Sequence, residues 1–97
     1  MIIKIKRVGA FDKMLASLYA EDEELGKRAE EAILRFQKNP SDTRIDNHRL
    51  TKRLKDKWAF SVTNNIRIVY EWQGKKSVRF LAIGTHFQVY SRYTQRN

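Results

Sequence analysis

The sequence predicts an α+β fold of two layers, in which an N-terminal strand and two helices precede an antiparallel meander of three to four strands. Three observations predict this fold. The chain opens with a short segment rich in β-branched residues. Two segments with helical spacing of apolar residues follow, and three segments with alternating apolar residues come last. The length of 97 residues fits one domain, which we expect to span residues 1–97.

The N-terminal half contains the first strand and both helices. Residues 2–8 form the predicted strand, and apolar residues at helical spacing predict helices over 11–19 and 25–36. Four consecutive acids at 21–24 suit the first turn of the second helix, where negative charge meets the positive end of the helix dipole. Pro40 ends that helix, because proline cannot continue the hydrogen-bond ladder.

The C-terminal half contains the meander. Residues 41–57 have no clear period and predict a loop with a short helical turn. Residues 58–62, 66–72 and 77–83 alternate in hydropathy and predict three strands. Their short connections predict antiparallel pairing. The residues after Gly84 are expected to form a short strand or turn.

Alternation also predicts which side chains of the third meander strand share a face. Val78, Phe80 and Ala82 fall on one face, and Arg79, Leu81 and Ile83 fall on the other. The two helices are expected to cover one face of the sheet and leave the opposite face open.

The net charge of +9 is confined to the second half of the chain. Residues 1–47 contain nine basic and nine acidic residues, whereas residues 48–97 contain eleven basic residues and only Asp56 and Glu71 as acids. A charge that serves solubility alone need not segregate in this way. The asymmetry favours a polyanionic partner: nucleic acid, an acidic protein segment or a membrane surface.

Several classes of protein are excluded by composition. The chain has no cysteine, which excludes disulfides, thiolate metal sites and a cysteine nucleophile. No apolar run approaches the roughly 20 residues that span a bilayer. Charges interrupt the first apolar stretch, so it does not match a signal peptide. We therefore expect a soluble cytoplasmic protein with no membrane partner.

Two arginines and two histidines in the basic half are candidates for chemistry. Arg67 and Arg79 lie alone among apolar neighbours on adjacent strands and are predicted to share the open face, where a guanidinium can bind phosphate in a bidentate manner. Ion pairing with Glu71 on a solvated face is the alternative reading. His48 and His86 suit general acid–base catalysis of RNA cleavage, which needs no metal or other cofactor. Their spacing does not indicate a metal site.

Aromatic residues are concentrated in the same basic half. Most of them are expected in the core, since a domain of this size needs them there. Phe87, Tyr90 and Tyr93 lie close to His86 in the sequence and are the better candidates for exposure. Exposed rings of this kind stack on the bases of single-stranded RNA.

Five short motifs, in order, resemble the RelE/ParE toxin superfamily. They are His48-x-Leu50-x-x-x-Leu54, Trp58-Ala59-Phe60-Ser61-Val62, Arg67-Ile68-Val69-Tyr70, Ile83-Gly84-Thr85-His86 and Val89-Tyr90. The closest similarity is to RelE-type mRNA interferases of bacterial type II toxin–antitoxin systems, and it covers nearly the whole chain.

The resemblance implies a toxin that cleaves mRNA, commonly on the ribosome, and that a small antitoxin neutralises. It assigns proton transfer to His48 and His86, phosphate stabilisation to Arg67 and an aromatic position near the site to Tyr90. It places Lys52, Arg53 and Lys55 on the RNA backbone, with Arg49, Arg79 and Phe87 as further RNA-binding candidates. The free toxin is expected to be a monomer and to form a heterocomplex with its antitoxin.

Two other functions stay open at this point. The ParE branch of the superfamily poisons DNA gyrase instead of cleaving RNA, and a non-catalytic module that binds nucleic acid would carry the same charge. The chain also departs from its relatives, since Phe87 follows the last histidine where an acidic residue is usual.

Overall fold

A computed structural model describes residues 2–50 and 56–94, which form an α+β domain with a mixed five-stranded sheet. The elements follow the predicted order, with one additional helix at the end. They are β1 (Lys4–Arg7), α1 (Gly9–Glu21), α2 (Glu23–Lys38), a 3₁₀ turn (Thr43–Ile45), β2 (His48–Arg49), β3 (Trp58–Ser61), β4 (Ile66–Trp72), β5 (Ser77–Thr85) and α3 (His86–Thr94). None of the helices in these described ranges is long and apolar enough to cross a membrane.

The helices α1 and α2 form a hairpin whose turn is fixed by Asp22. The Asp22 carboxylate accepts hydrogen bonds from the backbone N–H groups of Glu24 (3.1 Å) and Leu25 (3.3 Å), which caps α2. Most of the acidic run therefore starts the second helix: Glu23 and Glu24 lie in its first turn after the Asp22 cap, whereas Glu21 ends α1. One turn later, Gly26 lies directly beneath the ring of Tyr19, where a β-carbon would come within 2.3 Å of a ring carbon.

The strands are arranged in the order β1-β5-β4-β3-β2. Strands β2 to β5 pair antiparallel and form the predicted meander, which has four strands because β2 contributes a two-residue strand within the predicted loop. The N-terminal β1 lies on the far side and pairs parallel with β5. The sheet is therefore mixed. The sequence predicted antiparallel pairing within the meander and assigned no partner to the N-terminal strand.

One face of the sheet packs against α1 and α2. Its centre is aromatic: the Phe36 ring on α2 stacks on Phe60 (4.7 Å between centroids) and meets the edges of Tyr70 (4.8 Å) and Phe80 (5.8 Å). All four side chains are fully buried. Aromatic pairs of this geometry add stability beyond the area they bury.

The opposite face is covered in part by α3, which the sequence analysis missed. Val89 on α3 is fully buried against Ala59, Val69 and Ala82 of the sheet. The predicted short strand or turn after Gly84 is therefore wrong. The chain turns directly from β5 into a helix that returns across the open face.

A β-bulge at Leu81 changes the face assignments of β5. Val69 pairs with Ala82 and Tyr70 pairs with Phe80, so Leu81 is an extra residue on β5. Beyond the bulge, Ala82 joins the core under α3, and Ile83 joins the aromatic core. The predicted faces of Ala82 and Ile83 are therefore exchanged, because strict alternation fails at an inserted residue.

Candidate active site

A cleft of about 380 Å³ opens on the sheet face that carries α3. Its walls come from the loop before β2, from β2, from β4 and from the first turns of α3. They are formed by Asp46, His48, Arg49, Leu50, Arg67, His86 and Tyr90. The structure thus brings together all four residues that the sequence predicted as catalytic: His48, Arg67, His86 and Tyr90.

His48 is held by its own backbone environment. It pairs with Ala59 on β3, and its Nδ1 lies 2.9 Å from the carbonyl oxygen of Asp46. A carbonyl oxygen only accepts hydrogen bonds, so this contact assigns the proton of the neutral imidazole to Nδ1. Nε2 is then left without a proton and is able to accept one.

Asp46 presents that carbonyl from an unusual backbone conformation. Its φ of 47° and ψ of 52° lie in the left-handed region, which non-glycine residues seldom occupy. Its N–H closes the 3₁₀ turn onto the Thr43 carbonyl oxygen. The 3₁₀ turn and the left-handed conformation of Asp46 together direct the backbone into β2, which begins at His48.

Arg67 lies on β4 between two small residues. Across the sheet it pairs with Ser61 on β3 and with Gly84 on β5. Its Nη1 donates to Ser61 Oγ (3.1 Å), and its buried Nε has no hydrogen-bond acceptor within the described ranges. No carboxylate of the described residues forms an ion pair with it. The guanidinium therefore carries positive charge and donor capacity into the cleft.

His86 and Tyr90 lie one helical turn apart at the start of α3. Their rings meet edge to face with 4.2 Å between centroids. His86 is exposed, whereas Tyr90 is partly buried. Burial raises the pKa of the Tyr90 phenol, and the nearby charge of Arg67 opposes this by a smaller amount. Tyr90 is therefore a neutral hydrogen-bond donor at physiological pH.

The helix that carries these two rings begins with a capping box. The Thr85 N–H donates to Gln88 Oε1 (2.8 Å), and the Gln88 N–H donates to Thr85 Oγ1 (3.1 Å). This reciprocal pair fixes His86 as the first residue of α3. The Thr-x-x-Gln spacing was available in the sequence as a signal for the helix.

Other predicted RNA-binding residues have different positions. Arg49 lines the cleft. Arg79 shares the sheet face of Arg67, as expected, but it donates to the Glu71 carboxylate, which also pairs with Lys57 (3.5 Å). The ion-pair alternative thus describes Arg79. The predicted contacts of Lys52, Arg53 and Lys55 lie outside the described residues.

Phe87 faces away from the cleft. Its side chain is 77% exposed and lines a separate groove of about 420 Å³ with residues of α1, including Met14 and Leu18. The structure therefore does not bring Phe87 together with the four predicted catalytic residues.

Sequence reasoning missed three residues that shape the site: Asp46, Asn47 and Ser61. Asp46 and Ser61 contact the predicted catalytic residues directly, and Asn47 receives a hydrogen bond from the core. Over the described ranges, no group of three or more His, Cys, Asp or Glu side chains is arranged to hold a metal ion.

Comparisons with solved structures identify the fold. A YoeB/ParE toxin from Agrobacterium tumefaciens superposes with a TM-score of 0.74 at 14% identity, covering 87% of this chain and 99% of that one. A chain of the E. coli DinJ-YafQ toxin-antitoxin complex matches with a TM-score of 0.73 at 17% identity, and the match covers 93% of this chain and 99% of that one. A copper-bound mutant toxin from Helicobacter pylori matches with a TM-score of 0.71 at 21% identity, covering 91% and 99%.

No protein-family model and no curated protein matches the sequence. The structural matches extend over nearly the whole of each matched chain and over 87–93% of this one. The chain has the fold of the RelE/ParE toxin superfamily.

Proposed function

We propose that the protein is the toxin of a type II toxin–antitoxin system and that it inhibits translation by cleaving mRNA on the ribosome. One observation carries the proposal: His48, Arg67, His86 and Tyr90 come from three separate elements and line one cleft. Two proton-transfer groups and a cation suit metal-independent cleavage of a phosphodiester, and the neutral phenol adds a hydrogen-bond donor.

The cleft suggests how the reaction would proceed. His48 Nε2 takes the proton of a ribose 2′-hydroxyl, and the 2′-oxygen attacks the adjacent phosphorus. The bond from phosphorus to the 5′-oxygen breaks, and His86, or Tyr90 beside it, gives that oxygen a proton. The products are a 2′,3′-cyclic phosphate and a 5′-hydroxyl, so the protons balance and no water or cofactor is consumed.

Arg67 would stabilise the charge that develops on the phosphoryl oxygens. Its Nη1 is anchored on Ser61, and Gly84 on its other side adds no side-chain bulk. A guanidinium fixed on a strand does not need to reorganise when the anion forms, which is the basis of electrostatic stabilisation in active sites.

RNA binding would rest on the basic half of the chain. Arg49 borders the cleft, and Lys52, Arg53 and Lys55 follow it in the sequence. Cations in this position would contact the phosphates on either side of the scissile bond, and binding would weaken steeply as salt rises. Arg79 would add to the field of this half rather than bind a phosphate alone, because Glu71 pairs with it.

An antitoxin is the proposed protein partner. The matched E. coli structure is a complex of a toxin with its antitoxin. An antitoxin with acidic side chains would complement the excess of +9 and would cover part of the basic half. The free toxin is proposed to be a cytoplasmic monomer.

Cleavage by the purified protein tests the proposal. Wild type is expected to cut mRNA on programmed ribosomes and to leave a 2′,3′-cyclic phosphate. His48→Gln, His86→Gln and Arg67→Ala should each lower the rate by about 10²-fold or more, the usual range for acid–base groups. Arg28→Ala, on the exposed surface of α2, is the matched control and should cleave normally.

Two outcomes would reject the proposal. Intact mRNA during full growth arrest would exclude cleavage, and gyrase-dependent trapping of cleaved DNA would then identify a gyrase poison. Salt-sensitive RNA binding that is unchanged in both histidine variants, without turnover, would identify a non-catalytic module.

A further inference from the structure

A hydrogen bond connects the aromatic core to the segment that directly precedes His48. The Tyr70 hydroxyl donates to Asn47 Oδ1 at 2.7 Å. Asn47 directly precedes His48 and directly follows Asp46, whose carbonyl holds His48 Nδ1. The bond therefore joins the buried core to the neighbour of the residue whose carbonyl orients the proposed base.

The Tyr70 end of this bond is enclosed by the core. The side chain is fully buried, and its ring is enclosed by Phe36 (4.8 Å), Trp72 (5.8 Å) and Phe60 (5.9 Å). Burial raises the pKa of its phenol far above the usual value, so the hydroxyl stays a donor at every pH at which the protein functions. A phenylalanine would fill the same space, so the hydroxyl serves its polar contacts, which are with Asn47 and Trp72.

The Asn47 end of this bond lies next to Asp46 in the chain. Asp46 has left-handed dihedral angles, which are uncommon for an L-residue although aspartate tolerates them better than most. The 3₁₀ turn holds it from one side through the Thr43 carbonyl, and the Tyr70–Asn47 bond holds it from the other. Without the second contact, the peptide between Asp46 and Asn47 loses one of the constraints that keep its carbonyl on His48 Nδ1.

We propose that Tyr70 and Asn47 are positioning residues, whose hydrogen bond keeps the Asp46 carbonyl on His48 Nδ1 and thereby keeps Nε2 unprotonated for proton abstraction. The effect on the imidazole follows from geometry alone, and only its consequence for catalysis rests on the proposed function. Neither residue touches the reacting atoms.

Nitrogen NMR of the imidazole rings of the full-length protein tests the proposal. The chain has two histidines, so His48→Gln assigns both sets of signals. In wild type, neutral His48 is expected to carry its proton on Nδ1. In Tyr70→Phe and in Asn47→Ala, a large fraction should move to Nε2, which the free side chain prefers, while the His86 signals stay unchanged.

Two further variants make the readout specific. Asn47→Asp keeps an oxygen acceptor for Tyr70 and should restore the Nδ1 proton. Tyr19→Phe removes a hydroxyl from α1, far along the chain from the loop, and should leave His48 unaffected. In RNA cleavage, Tyr70→Phe and Asn47→Ala should lower kcat by about 10-fold or more with little change in KM, the size of effect seen for residues that orient an active group.

A His48 proton that remains on Nδ1 in folded Asn47→Ala would overturn the proposal. Because Asn47 is only partly buried, that variant applies the test even if Tyr70→Phe does not fold. Failure of the wild type to cleave RNA would reject the proposed function and leave the NMR result to decide the positioning role by itself.

Discussion

Thr85 and Gln88 cap the N-terminus of α3 for each other, each donating its backbone N–H to the side chain of the other. The pair lies between the last strand and His86, so it sets where the helix begins and which way its first residue points. The positions of His86 and Tyr90 depend on this junction, because α3 carries both residues to the face of β4 that holds Arg67.

Removing the cap should loosen α3. Thr85→Ala is expected to lower the free energy of unfolding by about 1 kcal/mol, the usual effect of losing an N-cap side chain, and to slow RNA cleavage. Thr85→Ser keeps the oxygen and should retain most of both. Urea denaturation measures the stability, and equal stability of wild type and Thr85→Ala would contradict this account of the junction.

Gly84→Ala should act through the same cap. A β-carbon on Gly84 would lie 2.6 Å from Gln88 Oε1, so the flexible amide must move and release the Thr85 N–H. We expect a loss of about 1 kcal/mol, similar to that of a lost cap. Gly74→Ala is the control, since a β-carbon there meets nothing within 4 Å.

A double-mutant cycle identifies the cause. In a Gln88→Ala background, Gly84→Ala should cost less than it does in wild type, because the clashing amide is already absent. Additive effects of the two substitutions would show that Gly84 matters for another reason.

Ser61→Ala should disturb Arg67 without harming the fold. The substitution removes the acceptor of the Arg67 Nη1 bond and is expected to lower stability by about 1 kcal/mol. RNA cleavage should also fall by about 10-fold, which corresponds to roughly 1.4 kcal/mol of lost transition-state stabilisation. Single-turnover kinetics measure the rate, and Ser17→Ala on the exposed side of α1 is the control. A normal rate in Ser61→Ala would show that Arg67 needs no anchor.

Acid should weaken the turn that precedes the cleft. The Arg44 side chain, and then the Arg44 N–H, lower the pKa of Asp42 to about 2. The native state therefore favours the carboxylate relative to the unfolded chain, whose aspartates titrate near about 3.9. The resulting stability is present above pH 4 and is lost as the pH falls from about 4 to 2.

Urea denaturation across this pH range checks the Asp42 prediction. Asp42→Asn should flatten the decline below pH 4, whereas Asp56→Asn, which alters an exposed residue in a turn, should leave it unchanged. An identical pH dependence in Asp42→Asn and wild type would assign the decline to other carboxylates.

Phe87→Ala should change little. The side chain is 77% exposed and lies on the α1 side of α3, so its removal is expected to shift stability by less than about 0.5 kcal/mol. Cleavage rates should stay normal, because the ring does not line the cleft. Weaker RNA binding in a filter or fluorescence assay would instead support the stacking role that the sequence suggested for Phe87.

Local patterns predicted the helical hairpin and the meander, because both are encoded by periods within a few consecutive residues. The parallel pairing of β1 with β5 was not predictable in the same way, since Lys4 and its partner Ser77 lie at opposite ends of the chain. The bulge was not predictable either, because Leu81 and Ala82 are both apolar and the sequence pattern allows each of them on either face of a regular strand.

The catalytic candidates were predictable as a set, but their support was not. His48, Arg67, His86 and Tyr90 are residue types with evident chemistry in the basic half of the chain. Asn47 accepts a hydrogen bond from Tyr70, 23 residues away, and no spacing rule indicates such a contact. Ser61 lies only six residues from Arg67, but the hairpin pattern predicts a shared face and not the hydrogen bond between the two side chains. The helix α3 was missed because Val89 and Tyr90 favour strands locally, and burial of Val89 overrides that preference.

The parallel pairing of β1 with β5 has a consequence for biosynthesis. Strand β1 is made first, yet its sheet partner is the last strand, and the helix behind that strand completes the cleft. Residues 1–86 must therefore all emerge before His48 and Arg67 can meet His86. A ribosome translating this chain thus extrudes both layers of the domain before the domain acquires the site proposed to attack ribosome-bound message.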